Sequence, residues 1–210
     1  MKAILLVTLA LVATTPDDNS KYIEAMRKNI DSLYKSQTTD AYQRVINALE
    51  RIGKAEKTKW EPHYYSSFGY VMMALKENES AAKDNYLDLA MNAAKDARKV
   101  EHDESEVAAM EGFVHMIRVT VDPPSRGPQY SAMAFQAFGK ALSLNPDNPR
   151  ALALKAQMEL GTAQFFGSPV DDACATMRLA LEKFDTFTSE NPIAPRWGRE
   201  TAESMKERCK

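Results

Sequence analysis

Apolar residues recur every three or four positions along most of this 210-residue chain, with polar residues between them. This is the period of an α-helix with one buried face, whereas a half-buried β-strand alternates every second residue. No stretch of the chain shows the strand pattern. The apolar spacing predicts nine helices, over residues 20–36, 39–53, 61–76, 81–100, 104–120, 129–144, 149–165, 170–187 and 197–208. The 29 alanines agree with this, because alanine has the highest helix propensity.

Capping residues and prolines mark where several of these helices begin and end. Asn148 stands directly before Pro149, which places a side-chain acceptor at the N-cap and a proline in the first turn. The longest predicted linkers are residues 122–128 (DPPSRGP) and 189–196 (SENPIAPR). Prolines stiffen both linkers, because each proline fixes its own φ angle and restricts the residue before it.

A small–large–small pattern repeats from helix to helix. Ala134, Phe138, Ala141 and Pro146 give the spacing A-x3-F-x2-A-x4-P. A small residue lets the neighbouring helix approach closely, and the large apolar residue one turn away fills the groove beside it. The same frame recurs at Ala41, Val45 and Ala48, at Ala90, Ala94 and Ala97, and at Ala173, Met177 and Ala180. Such repetition indicates similar helical hairpins that stack on one another.

The A-x3-F-x2-A-x4-P spacing resembles the second helix of the tetratricopeptide repeat, over about residues 20–187. The resemblance implies an all-α fold: an α-solenoid of about four helical hairpins with residues 197–208 as a C-terminal capping helix, in one domain over residues 16–210. Successive frames lie 49, 44 and 39 residues apart, against a usual spacing of about 34. The segments DPPSRG, LNPDNPRAL and PRWG are also similar to those of exported bacterial tetratricopeptide proteins.

The N-terminus has the composition of a secretory signal peptide. Lys2 precedes an apolar run over residues 3–13, and small residues follow it. Eleven apolar residues are too few for a membrane-spanning helix, which needs about 20. We therefore expect a signal peptide over residues 1–15 and a periplasmic or secreted bacterial protein. An N-terminal helix that frays, or a shortened membrane anchor, is the alternative.

Export to an oxidising compartment makes the two cysteines a candidate disulfide. Cys174 and Cys209 are equally distant from residues 191–192, in the link between the last two predicted helices. If those helices fold back on each other, the two cysteines travel the same distance from the link and meet. A buried Cys174 with a free thiol at Cys209 is the alternative.

Catalytic and metal-binding patterns are absent from the sequence. His63, His102 and His115 show no metal-ligand spacing, and there is no CxxC motif, phosphate-binding glycine loop or nucleophile elbow. The net charge is −2, with basic residues spread among acidic ones, which argues against a nucleic-acid surface. We expect no catalytic residue, no metal and no cofactor, and no stable membrane span after signal cleavage.

A binding surface is therefore the expected working part of the chain. In the tetratricopeptide family the first helix of each hairpin lines a concave groove, and the resemblance gives this role to the third, fifth and seventh helices. The groove candidates by register are His63, Tyr70, Met73, Glu106, Phe113, Met116, Arg150 and Gln157. We expect a non-catalytic scaffold whose groove binds a protein or peptide partner. The alternatives are a small-molecule-binding protein or enzyme with its site in the groove and inter-helix loops, and a stripe that is simply packed core.

Overall fold

The computed structural model describes residues 18–100 and 102–209. The predicted signal peptide lies outside these residues. The helices are α1 (Asp18–Lys35), α2 (Thr39–Ala55), α3 (Glu61–Lys76), α4 (Ser80–Arg98), α5 (Glu104–Val119), α6 (Pro123–Leu144), α7 (Pro149–Phe166), α8 (Asp171–Thr186) and α9 (Arg199–Ser204), followed by a C-terminal 3₁₀ helix (Lys206–Cys209). The described residues form no strand, so the predicted all-α class is confirmed.

The helices pack as consecutive antiparallel pairs in two layers. In the inner layer α1 contacts α3, α3 contacts α5, and α5 contacts α7. The outer helices α2, α4, α6 and α8 contact inner helices, and within residues 18–100 and 102–209 no two outer helices touch. Helix α9 packs on α7 and α8 at the end of the row. This arrangement confirms the expected row of about four helical hairpins with a C-terminal cap.

The repeated small residues set the distance between neighbouring helices. Gly112 of α5 lies directly against the ring of Phe138 in α6, and Phe138 is completely buried. Gly69 of α3 lies against Ile46 of α2, where a Cβ atom would come within 2.7 Å of the isoleucine Cγ1. The contact of Phe138 is the one that the sequence frame predicts. In α2 the buried side chains are Tyr42, Ile46 and Leu49, each one residue after the predicted frame of Ala41, Val45 and Ala48, which are only partly buried.

We expect Gly112→Ala to lower the free energy of unfolding by about 1–3 kcal/mol, the usual cost of overpacking a close-packed core. The added methyl group would overlap the aromatic ring of Phe138, which has no space to move. Gly139→Ala on α6 is the matched control, because a Cβ at Gly139 meets nothing within 4 Å. It should raise the stability by up to about 1 kcal/mol through helix propensity. Urea unfolding followed by helical circular dichroism measures both; equal midpoints for the two variants would contradict this packing.

Two boundaries differ from the sequence prediction. Residues 123–128, predicted as part of a linker, are the first turns of α6. The Asp122 carboxylate caps this helix by accepting a hydrogen bond from the backbone N–H of Ser125. Proline is compatible with a first turn because the N–H groups there have no intrahelical partner. The predicted capping helix over residues 197–208 is shorter, and is divided into α9 and the 3₁₀ helix.

Cys174 of α8 and Cys209 of the 3₁₀ helix form the predicted disulfide, with Cα atoms 5.5 Å apart. Cys174 is 4% exposed, and its partner Cys209 packs against the apolar cluster that includes Ala173, Met177, Ala202 and Met205. The disulfide therefore fixes the end of the chain against the last hairpin. None of the helices in the described part of the chain has the length and apolar character needed to cross a bilayer.

Candidate ligand-binding site

The chain's own residues 187–198, here called the crossing segment, lie across the inner helices. They connect α8 to α9 and pass over the N-terminal ends of α3 and α7. The Tyr65 hydroxyl of α3 donates a hydrogen bond to the Ile193 carbonyl at 2.7 Å. The Asn191 amide donates to the Glu61 carboxylate at 3.0 Å. Inner-helix side chains thus bind this segment as they would bind an extended peptide.

Trp197 is the aromatic anchor of the crossing segment. Its ring stacks on Phe113 of α5 with centroids 5.5 Å apart, and it lies against Phe68 of α3 at 5.0 Å. The indole N–H donates a hydrogen bond to the Tyr64 hydroxyl at 3.2 Å. Trp197 is only 8% exposed, so this contact is part of the hydrophobic core.

A buried ion pair lies beneath the crossing segment. Arg150 of α7 donates from Nε and Nη2 to the carboxylate of Glu106 on α5, at 2.7–2.9 Å. Its Nη1 donates to the carbonyl of Pro195 at 3.0 Å, and the Tyr64 hydroxyl donates to Glu106 at 2.9 Å. Both charged side chains are at most 5% exposed. The pair therefore joins α3, α5 and α7 to the crossing segment.

The electrostatics of this cluster keep Arg150 and Tyr64 protonated. Burial alone would lower the pKa of Arg150, but the charge and hydrogen bonds of Glu106 outweigh it, so the pKa is raised. Burial, reinforced by the Glu106 charge, raises the pKa of the Tyr64 phenol. Tyr64 thus stays a proton donor, Arg150 stays cationic, and neither is poised to exchange a proton near neutral pH. The cluster therefore stabilises the packing of the crossing segment on α3, α5 and α7, rather than transferring protons.

Several groove candidates are buried or half-buried, because the crossing segment covers them or because they point towards α2. Phe113, Glu106 and Arg150 lie under it and are buried. His63 and Tyr70 are directed towards α2: the His63 ring lies beside Gly53, and the Tyr70 hydroxyl donates to Glu50 at 2.8 Å. Most of the predicted stripe is thus packed interior, the alternative that the apolar pattern also allowed.

The remaining candidates divide between core and cavity. Met73 is 2% exposed and belongs to the main hydrophobic cluster. Met116 and Gln157 line an open cavity at the C-terminal end of the row. A role in partner binding for the eight candidates stays a prediction, and these two of them line the cavity.

That cavity, here called the C-terminal cavity, has a volume of about 580 Å³, within the range of about 300–1,000 Å³ typical of small-molecule sites. It lies where α5, α6 and α7 meet the C-terminal helices. Its lining residues are Met116, Ile117, Val119, Thr120, Pro123, Pro124, Gly127, Pro128, Ser131, Gln157, Met158, Leu160, Gly161, Thr162, Phe165, Phe166, Ser204, Met205 and Arg208.

Most of the residues that line the C-terminal cavity are apolar, and three of them are methionines, whose unbranched side chains adapt to the shape of a ligand. Met116, Met158 and Met205 are each at most 7% exposed, whereas Phe165 and Phe166 at the end of α7 are 65% and 72% exposed. Large aromatic side chains in water are unusual unless they meet a ligand or partner. The lining contains no carboxylate, and Arg208 is its one charged residue.

Within residues 18–100 and 102–209, no three His, Cys, Asp or Glu side chains lie close enough together to hold a metal ion. The cavity wall contains no His, Cys or Tyr. The three methionine thioethers are the only soft donor atoms of this wall.

Together these features define an all-α, disulfide-linked protein of stacked helical hairpins with a ligand-sized apolar cavity. No protein-family model and no curated protein matches the sequence. Among solved structures the chain is similar to the HusA haemophore from Porphyromonas gingivalis, with 26% sequence identity and a TM-score of 0.81, over 93% of this chain and 96% of that one. The similarity and the disulfide indicate an exported helical bacterial protein.

Sequence reasoning missed both the crossing segment and the cavity. A signal for the segment is present in the sequence: Ile193 in the predicted linker 189–196 and Trp197 at the start of the predicted capping helix 197–208 are large apolar residues. The pair Phe165-Phe166 is a second signal, because two adjacent aromatic residues do not both lie at the centre of the buried face of one helix. Neither signal says which other helices complete the site.

Proposed function

We propose that this protein is an exported binding protein that holds a porphyrin-class ligand, such as haem, in the C-terminal cavity. The observation that carries the proposal is the apolar, methionine-floored cavity of about 580 Å³ with two exposed phenylalanines at its rim. A flat apolar ring buries its faces in such a wall without leaving polar groups unpaired. The similarity to a protein named a haemophore, over nearly the whole of both chains, supports the same ligand class.

The rest of the chain acts as the scaffold of this site. The stacked helical hairpins place the C-terminal ends of α5 and α7 side by side, and the α6 N-terminus closes one wall. No step of covalent chemistry is required of these residues. The predicted signal peptide, residues 1–15, would deliver the protein to the periplasm or beyond.

Binding of a protein or peptide in the concave groove is the second candidate. The observation that favours it is that the inner helices already hold a proline-containing segment through backbone hydrogen bonds and a tryptophan anchor. A partner peptide would have to displace residues 187–198 and break the contacts of Trp197 and Arg150. The C-terminal cavity requires no such displacement and therefore ranks first.

We expect Gly161→Phe to weaken haem binding by about tenfold or more, equivalent to about 1.4 kcal/mol. Gly161 lines the cavity, and a Cβ atom added there meets nothing within 4 Å, so a side chain can start from this position and the phenylalanine ring is expected to occupy ligand space. Titration with haemin, followed by the absorbance change of the bound porphyrin, measures the dissociation constant of each variant.

The matched control is Gly139→Phe. Gly139 is also an exposed helical glycine with open space around it, but it lies outside the cavity. It should bind haemin with the wild-type affinity. Wild-type binding by the Gly161 variant would remove the cavity from consideration, and the absence of saturable haemin binding by the wild type would remove the ligand class.

A further inference from the structure

We propose that Arg208 makes the C-terminal cavity selective for ligands that carry a carboxylate beside an apolar body. This inference rests on the proposed function and names the part of the ligand that the cavity recognises. The apolar wall contributes affinity for many ligands of similar size. A single cation at one end of that wall would fix the orientation of the ligand and discriminate between charged and uncharged forms.

Arg208 is the only charged side chain among the lining residues. In the described part of the chain its guanidinium makes no ion pair or side-chain hydrogen bond, whereas Arg118, Arg126 and Arg150 are each bound to a carboxylate. A guanidinium presents parallel N–H donors that match the two oxygens of a carboxylate. An anionic group entering the cavity therefore meets a free cation and no competing acidic side chain.

Other polar groups of the lining are already engaged. The hydroxyls of Thr120, Thr162 and Ser204 donate to backbone carbonyls of their own helices. Their protons are thus not available to a ligand oxygen. This leaves Arg208 as the one cationic donor of the lining, with the exposed amide of Gln157 on α7 and the hydroxyl of Ser131 on α6 as neutral donors.

The backbone that carries Arg208 is held in place from both sides. Cys209 is linked to Cys174 of α8, and Met205 is 2% exposed in the cluster between α7 and α8. The backbone N–H of Arg208 donates to the Met205 carbonyl at 3.0 Å. A fixed backbone reduces the entropy lost when the side chain binds, so the cation is partly preorganised.

The test compares protoporphyrin IX with its dimethyl ester, because the two share the ring and lack iron but differ in carboxylate charge. Wild-type protein should bind the diacid about tenfold or more tightly than the ester, the range expected for one hydrogen-bonded charge. Arg208→Gln should lower the affinity for the diacid to that for the ester and leave ester binding unchanged. Fluorescence titration of the porphyrin gives each dissociation constant.

Lys206→Gln is the matched control, because Lys206 is an exposed cation of the same 3₁₀ helix but lies outside the lining. It should keep the preference for the diacid. Equal binding of the diacid and the ester by the wild type, or a preference that persists in Arg208→Gln, overturns the role of Arg208 while leaving the cavity proposal intact. Absence of binding by both porphyrins overturns the proposed function as well, and so separates the two failures.

Discussion

Arg150→Met is expected to lower the free energy of unfolding by about 3–5 kcal/mol, the usual cost of removing one member of a buried ion pair. Arg150 is 1% exposed and Glu106 is 4% exposed. The substitution leaves the Glu106 carboxylate with one donor, the Tyr64 hydroxyl, in a site without access to water. It also removes the donor to the Pro195 carbonyl, so the crossing segment loses one of its anchors.

A second variant separates the charge effect from loss of packing. In the double variant Glu106→Gln/Arg150→Met no buried charge remains, so the loss of stability should be smaller than in Arg150→Met alone. Arg178→Met, which replaces an exposed arginine of α8, should change the stability by less than about 0.5 kcal/mol. Urea unfolding followed by circular dichroism, with the emission of Trp60 and Trp197 as a second probe, measures all three. A double variant less stable than Arg150→Met would show that packing, rather than an unpaired charge, dominates.

Removing the disulfide with Cys174→Ser/Cys209→Ser is expected to cost about 2–4 kcal/mol of stability. The bridge spans a sequence separation of 35 residues that contains the crossing segment and α9. Without it the unfolded chain gains conformational freedom and the native chain loses the clamp on the C-terminal 3₁₀ helix. Because this helix carries Arg208 into the cavity wall, haemin affinity should fall together with stability.

The control for this prediction uses reductant. Wild-type protein in reductant should resemble the double serine variant in its unfolding midpoint and in its affinity, whereas the serine variant itself should not respond to reductant. Intact mass under non-reducing conditions gives the thiol count directly. A wild-type midpoint unchanged by full reduction of the bridge would contradict the clamp.

The helices and their caps follow directly from local sequence. The Asn148 side chain accepts hydrogen bonds from the N–H groups of Arg150 and Ala151, as the Asn148-Pro149 pair predicts. The disulfide was likewise predictable, because the position of two cysteines about a link is a matter of counting residues along helices. The cap depends on residues within one turn of Asn148, whereas the disulfide also requires that the last helices fold back on each other.

Which surface is covered and which is open could not be read in the same way. The stripe containing Phe113 and Arg150 has the pattern of a groove, but Trp197, more than forty positions beyond Arg150, fills the space in front of it. The cavity likewise combines Met116, Gly161 and Met205 from three separate parts of the chain. Helical periodicity identifies an apolar face; the packing partner of that face is chosen by long-range contacts.

The sequence by itself thus determined an all-α chain of paired helices, and it made Cys174 and Cys209 a candidate disulfide. The tertiary structure decided that these cysteines are bonded, that residues 187–198 cover α3 and α7, and that an apolar cavity lies beside the C-terminal helices. The physical reason is that a helix is defined by hydrogen bonds and side-chain spacing among residues close together in sequence. Which face of a helix is buried depends instead on how helices far apart in the chain pack together.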